Sequence, residues 1–178
     1  MYIWIGCQLP EGFERELRER CIPLGAELGL DLVAFSLPQH ISLKISFDAG
    51  EQYEKILNFV EQLLQTEEKF YVNLLGVERM GNILWLSFRE QETLRRLHDT
   101  LDRLLEEGFG VAQHPFDRAF AFHSTLFFGE PEKLEHGMKT MADVSLPEEL
   151  AVDTFLLGIS ESGRPGTYRV VRQIELEN

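Results

Sequence analysis

Ile3-Trp4-Ile5, His40-Ile41-Ser42 and Leu74-Leu75-Gly76-Val77 return later in the chain as Leu84-Trp85-Leu86, His123-Ser124-Thr125 and Leu156-Leu157-Gly158-Ile159. The offsets are about 81, 83 and 82 residues, constant enough to describe one duplicated unit rather than three coincidences. The fold reading follows from this repeat, and the elements between its markers fill it in.

In the first copy, Tyr2 to Leu9 reads as a strand and Glu11 to Gly29 as a helix that Pro23 is expected to kink or divide. Gln39 to Phe47 alternates as a strand, Glu51 to Thr66 has a helical apolar face, and Phe70 to Arg79 is again a strand. Met80-Gly81-Asn82 is a turn signal. The second copy then runs Ile83 to Arg89 as a strand and about Gln91 to Glu107 as a helix, with Gly108 placed to end it. A strand near Phe120 to Phe128 follows, then a short helix marked by Leu134, Met138 and Met141, and two closing strands, Leu150 to Ser160 and Tyr168 to Leu176. Each half reads strand, helix, strand, helix, strand. The fold class is therefore α+β: one bilobal domain over residues 1–178, repeated at about 1–80 and 82–176, with two mostly antiparallel sheets facing a central cleft, helices outside and the histidine motifs on central strands.

Composition limits the partners. The 178 residues are 44% hydrophobic and 26% charged, which is ordinary for a folded globular domain. A formal net charge of -13 repels the phosphate backbone of long DNA or RNA, so a small nucleotide or a single RNA terminus is the expected substrate size. Two cysteines, Cys7 and Cys21, make no disulfide framework, and the start of the sequence lacks signal-peptide features, so a cytoplasmic address is expected. No apolar run reaches the roughly 18 residues of a membrane span.

His-x-Ser/Thr is a short pattern, and its weight comes from recurring at one place in the repeat, inside strand-like apolar runs. Side chains at i and i+2 of a strand share a face, so each motif directs an imidazole and a hydroxyl one way while Ile41, Leu43, Ser124 and Leu126 point behind. Lys44 continues the first motif's face, where the second has Phe127. If the lobes face each other, His40, His123, Ser42, Thr125 and the Lys44 ammonium converge. That set suits phosphoester cleavage: one imidazole takes a proton from water, the other gives one to the leaving oxygen, and the hydroxyls and the lysine hold the phosphate. No metal and no cofactor are needed. Two other readings fit the same residues: a binder of a nucleotide or RNA end without chemistry, and a zinc site on His40 and His123, although neither motif has cysteine or carboxylate partners at ligand spacing. His98 reads as a packed, hydrogen-bonded residue, His114 and His136 as solvent-facing, and Trp4 and Trp85 as core more than stacking surfaces.

Pro38-Gln39-His40-Ile41-Ser42-Leu43, Phe122-His123-Ser124-Thr125-Leu126-Phe127 and the closing stretch from Leu157 to Tyr168 resemble the 2H phosphoesterase superfamily, in particular its 2′-5′ RNA ligase-like and RNA cyclic phosphodiesterase branch. The resemblance covers essentially the whole chain. It implies a bilobal fold with a central cleft and metal-independent chemistry on 2′,3′-cyclic phosphates or related esters. His40 and His123 are the implied catalytic pair, Ser42 and Thr125 the implied phosphate-binding hydroxyls, and Tyr168 an implied substrate contact. The sequence departs from the family's usual pattern in having Ser42 for threonine, Phe122 for the proline before the second histidine, and no arginine after Thr125.

Overall fold

A computed structural model describes residues 1–142 and 144–177. Eight strands and four helices follow in the order β1 (Tyr2–Gln8), α1 (Glu11–Leu28), β2 (His40–Asp48), α2 (Tyr53–Leu64), β3 (Phe70–Met80), β4 (Ile83–Phe88), α3 (Glu92–Phe109), β5 (His123–Phe128), α4 (Pro131–Ala142), β6 (Glu149–Val152), β7 (Thr154–Ser160) and β8 (Arg169–Glu175). None of these helices is long and apolar enough to cross a membrane.

The strands form two antiparallel sheets, ordered β2-β1-β7-β8 and β5-β4-β3-β6. The α+β class and the paired sheets agree with the repeat, but the sheets are not the sequence halves. β3 of the first half pairs with β4, and β7 of the second pairs with β1, so each half lends its third strand to the other. One expected strand, Leu150 to Ser160, is accordingly two. The chain leaves the second sheet after Val152 and enters the first at Thr154, and at the crossing Asp153 accepts the Leu176 backbone N–H through its carbonyl and the Thr154 hydroxyl through its carboxylate.

The motif strands are not the central ones expected. β2 and β5 each end a sheet rather than lying at its centre, and they contact one another. Each strand's outer edge is therefore covered by the other lobe, which keeps it from standing as an open template for pairing.

Helix boundaries follow from local chemistry. Pro23 sits inside α1 without dividing it; its neighbourhood is exposed, so the carbonyl that loses its N–H partner is open to solvent. In α3 the buried residues Leu94, Leu97, His98, Leu101, Asp102 and Leu105 recur every three or four positions. That helix runs through Gly108 and ends at Gly110, which takes the left-handed conformation at φ 69°. Val111 N–H then closes the end on the Leu105 carbonyl.

The same feature fixes where the helix stops, and it is testable by denaturant unfolding. Gly108 lies in the helix, where an added Cβ would meet nothing within 4 Å, so Gly108→Ala should stabilise the protein by roughly 0.5–1 kcal/mol. Gly110→Ala must hold an L-residue at positive φ and should destabilise it by about 1–2 kcal/mol. The reverse order would place the helix end at Gly108.

Candidate active site

His40 opens β2 and His123 opens β5, and both line one cavity of about 510 Å³ between the sheets. Ser42, Thr125, Trp4, Trp85 and Tyr168 line it too. Ile41, Leu43, Ser124 and Leu126 are buried behind, as the alternation of a strand requires. The size is that of an ordinary small-molecule site. A larger cavity of about 820 Å³ adjoins it past Trp85 and Ala121, but that cavity holds neither motif histidine.

The two imidazoles are held alike. His40 Nδ1 lies 2.7 Å from the Pro38 carbonyl and His123 Nδ1 lies 2.7 Å from the Ala121 carbonyl. A carbonyl oxygen only accepts, so Nδ1 carries the proton in each ring, and in the neutral form Nε2 keeps its lone pair. Trp4 lies edge-on to His40 and Trp85 stacks on His123, both at 4.1 Å between ring centroids. The tryptophans are thus core side chains and cleft walls at once. Burial pulls the His40 pKa down from 6.5 to about 4; the Pro38 hydrogen bond opposes this and the nearby His123 charge adds to it. Burial lowers His123 as well, against its bond to Ala121. Both shifts favour the neutral imidazole at pH 7.

The hydroxyls differ. Ser42 Oγ accepts the Trp4 indole N–H at 3.2 Å, which leaves its own hydrogen free to donate. Thr125 Oγ1 has no partner among the described residues, and neither has the buried Trp85 indole N–H. Packing explains the difference between the tryptophans. The Trp4 indole lies over Gly6 and Gly158, where an added Cβ would come within 2.8 and 2.7 Å of its ring. Ser87 fills the place equivalent to Gly6 in the second copy. Tyr168 bonds the Ser46 hydroxyl at the cleft wall, and burial raises its pKa while that bond lowers it.

Lys44 also lines this cavity, as expected, but its ammonium is engaged by other side chains. On β2, Gly6 pairs with Ser42 but Ile5 pairs with Lys44, so Leu43 is an extra residue, a bulge that breaks the alternation. β5 repeats it: Trp85 pairs with Thr125 and Leu84 with Phe127. Lys44 and Phe127 are both buried, each at 1% exposure or less. The Lys44 ammonium lies 2.5 Å from Asp102 Oδ1 and 2.5 Å from Asp117 Oδ2, and two carboxylates already offset its charge. It is not a free cation for a phosphate.

The sequence reading missed Asp102 and Asp117. The signal for the first was present: Asp102 follows His98 by four residues on the apolar face of α3. His98 itself is buried and bonded, as expected, with Nδ1 2.7 Å from the Leu43 carbonyl and Nε2 3.1 Å from that of Asp117; His114 and His136 are exposed. Among the described residues, His98, Asp102 and Asp117 are the one group of three such side chains close enough to hold a metal ion. The Lys44 ammonium already occupies both carboxylates and would repel a divalent ion there. His40 and His123 have no third ligand in such a group, which disfavours the zinc reading on donor geometry.

Several solved proteins share this architecture. The chain resembles TT0787 of Thermus thermophilus at 21% identity and a TM-score of 0.68, over 99% of this chain and 98% of that one. It resembles E. coli LigT complexed with 3′-AMP at 20% identity and a TM-score of 0.61, over 99% and 98%. It resembles Usb1 of Kluyveromyces marxianus at 12% identity and a TM-score of 0.55, over 98% of each. At these identities the likeness is one of fold. No curated protein sequence matches the chain. The family model of the 2′-5′ RNA ligase superfamily matches residues 15–164, most of the chain and both histidine motifs, and the protein is a member of that superfamily, the 2H phosphoesterases.

Proposed function

We propose that this protein is a metal-independent phosphodiesterase that opens a 2′,3′-cyclic phosphate on a small nucleotide or an RNA terminus. One observation carries the reading: two imidazoles line one cleft, each with Nδ1 tied to a backbone carbonyl and Nε2 left for chemistry. One neutral imidazole takes a proton from water as the water oxygen bonds to phosphorus. The bond from phosphorus to one ribose oxygen breaks, and the second imidazole, protonated, gives its proton to that oxygen. The product is a phosphate monoester beside a free ribose hydroxyl, and the two histidines have exchanged protonation states. Ser42 and Thr125 donate to the non-bridging oxygens, where negative charge grows in the transition state. LigT of E. coli is described in complex with 3′-AMP, a monoester of the kind that this ring opening yields.

The net charge of -13 supports a small or terminal substrate over long nucleic acid. A bound phosphodiester anion favours the charged form of a nearby imidazole, so the required imidazolium forms more readily in the complex than in the empty cleft.

Hydrolysis of 2′,3′-cyclic mononucleotides, and of short RNAs ending in a cyclic phosphate, tests the proposal directly. Binding without turnover in the wild type would make the protein a binder. His40→Ala and His123→Ala should each lose about 10²–10⁴-fold in kcat, and the double variant less than the product of the two. Ser42→Ala and Thr125→Ala should lose less, because each removes one hydrogen bond and leaves the proton transfers in place. Full activity in a folded single histidine variant would sink the mechanism.

The pH profile has a definite sign. Plotted against pH, kcat/KM reports the free enzyme and needs one neutral and one protonated imidazole. Burial has pulled both below 6.5, His40 to about 4, so at pH 7 the protonated partner is scarce. The bell should therefore peak below pH 6.5 and fall as pH rises through neutrality, with limbs that belong to the pair. A maximum above pH 7.5 would contradict it. Activity should also survive EDTA, and recovery on added zinc after a loss in EDTA would favour a metal site.

A further inference from the structure

Lys44, Asp102 and Asp117 meet deep in the molecule, none more than 5% exposed, and they come from three separate elements. Lys44 belongs to β2, the strand of His40; Asp102 belongs to α3; Asp117 begins a single 3-10 turn, Asp117–Ala119, in the segment before β5. Asp117 is fixed at several atoms. Its Oδ2 accepts from Lys44 at 2.5 Å and from the His114 backbone N–H at 2.6 Å, and its carbonyl faces His98 Nε2 at 3.1 Å.

From there the chain runs directly to the second motif. Phe120 stacks on His98 at 4.4 Å between ring centroids, and its carbonyl accepts Arg95 Nη2 at 3.0 Å. The next residue, Ala121, supplies the carbonyl that holds His123 Nδ1. The segment behind His40 is tied by a different side chain, Arg18, whose Nη2 donates to the Leu37 carbonyl at 2.7 Å. The carbonyl partner of His40, Pro38, lies in the segment leading into β2.

We propose that Lys44 is a positioning residue for His123: bound to Asp117, it fixes the segment whose Ala121 carbonyl keeps the His123 ring in the tautomer with Nε2 free. An internal ammonium does here, between three elements, what a structural cation does elsewhere. This rests on the reading of the cleft as a paired-histidine site, and it makes the two histidines unequal in what supports them.

The test uses Lys44→Met and, because that variant leaves two buried carboxylates without their cation and is at risk of not folding, Asp117→Asn as well. Proton-nitrogen spectra of the imidazole rings at pH 7.5 read the tautomers without any assay. Wild type should show both His40 and His123 as the Nδ1-protonated form. In either folded variant His123 should become a mixture of tautomers while His40 stays as it was. Where the wild type hydrolyses cyclic phosphates, kcat should fall about 10²-fold, as for a small misplacement of a catalytic group, with KM little changed. An unchanged His123 ring in a folded variant would overturn the proposal. So would equal changes at His40 and His123, which would mean general loosening. Because the spectra need no turnover, a wild type inactive on every substrate would refute the functional reading and leave this one to be decided on its own.

Discussion

Ser124 Oγ donates to Gln39 Oε1 at 3.0 Å, in a place where both side chains are buried, and Gln39 Nε2 donates in turn to the Ala34 carbonyl. These are the residue before His40 and the residue after His123. Neighbours along a strand face opposite ways, so the bond lies on the back of the join between β2 and β5 and the histidines lie on its front. A buried amide and hydroxyl are costly to leave unpaired, which sets the register of one lobe against the other. Cleft width, the approach of the two rings and the seating of Lys44 all depend on that register.

Within this frame the two copies of the motif differ in consequential ways. The Trp4 indole is held by Ser42 and by the space over Gly6 and Gly158, and it meets His40 edge-on. Trp85 faces Ser87 where its counterpart has glycine, and lies at 29° to the His123 ring. Burial depresses His40 to about 4 and lowers His123 too.

The repeat made most of the fold legible, because the markers Trp4/Trp85, His40/His123 and Gly158/Gly76 sit on equivalent strands of equivalent sheets. Alternation also told correctly which side Ile41, Leu43, Ser124 and Leu126 take. It failed at one step past them. A bulge consumes one residue without changing the pattern of residue types, so alternation alone does not tell that Lys44, though it borders the cleft, is buried with its ammonium paired to Asp102 and Asp117. The equivalence of Lys44 with Phe127, a residue type at home in a core, was the available warning. The exchange of β3 and β7 was hidden for another reason: periodicity reports which face a strand buries and says nothing of which sheet receives it. Asp117 was invisible because its role depends on a loop's path after Gly110, for which no periodic signal exists.

That exchange bears on how such a chain could arise. A half-length ancestor with one strand-helix-strand-helix-strand copy would leave its first strand without the neighbour that β7 supplies to β1 and β3 supplies to β4. A second molecule would have to provide it, through a twofold dimer with swapped strands. Such a dimer would present two identical histidine motifs across its axis, and every substitution in it would fall on both sides of the site at once. Joining the copies in one chain frees each side to change alone. Ser42 against Thr125, Gly6 against Ser87 and Lys44 against Phe127 are differences that symmetry would have forbidden.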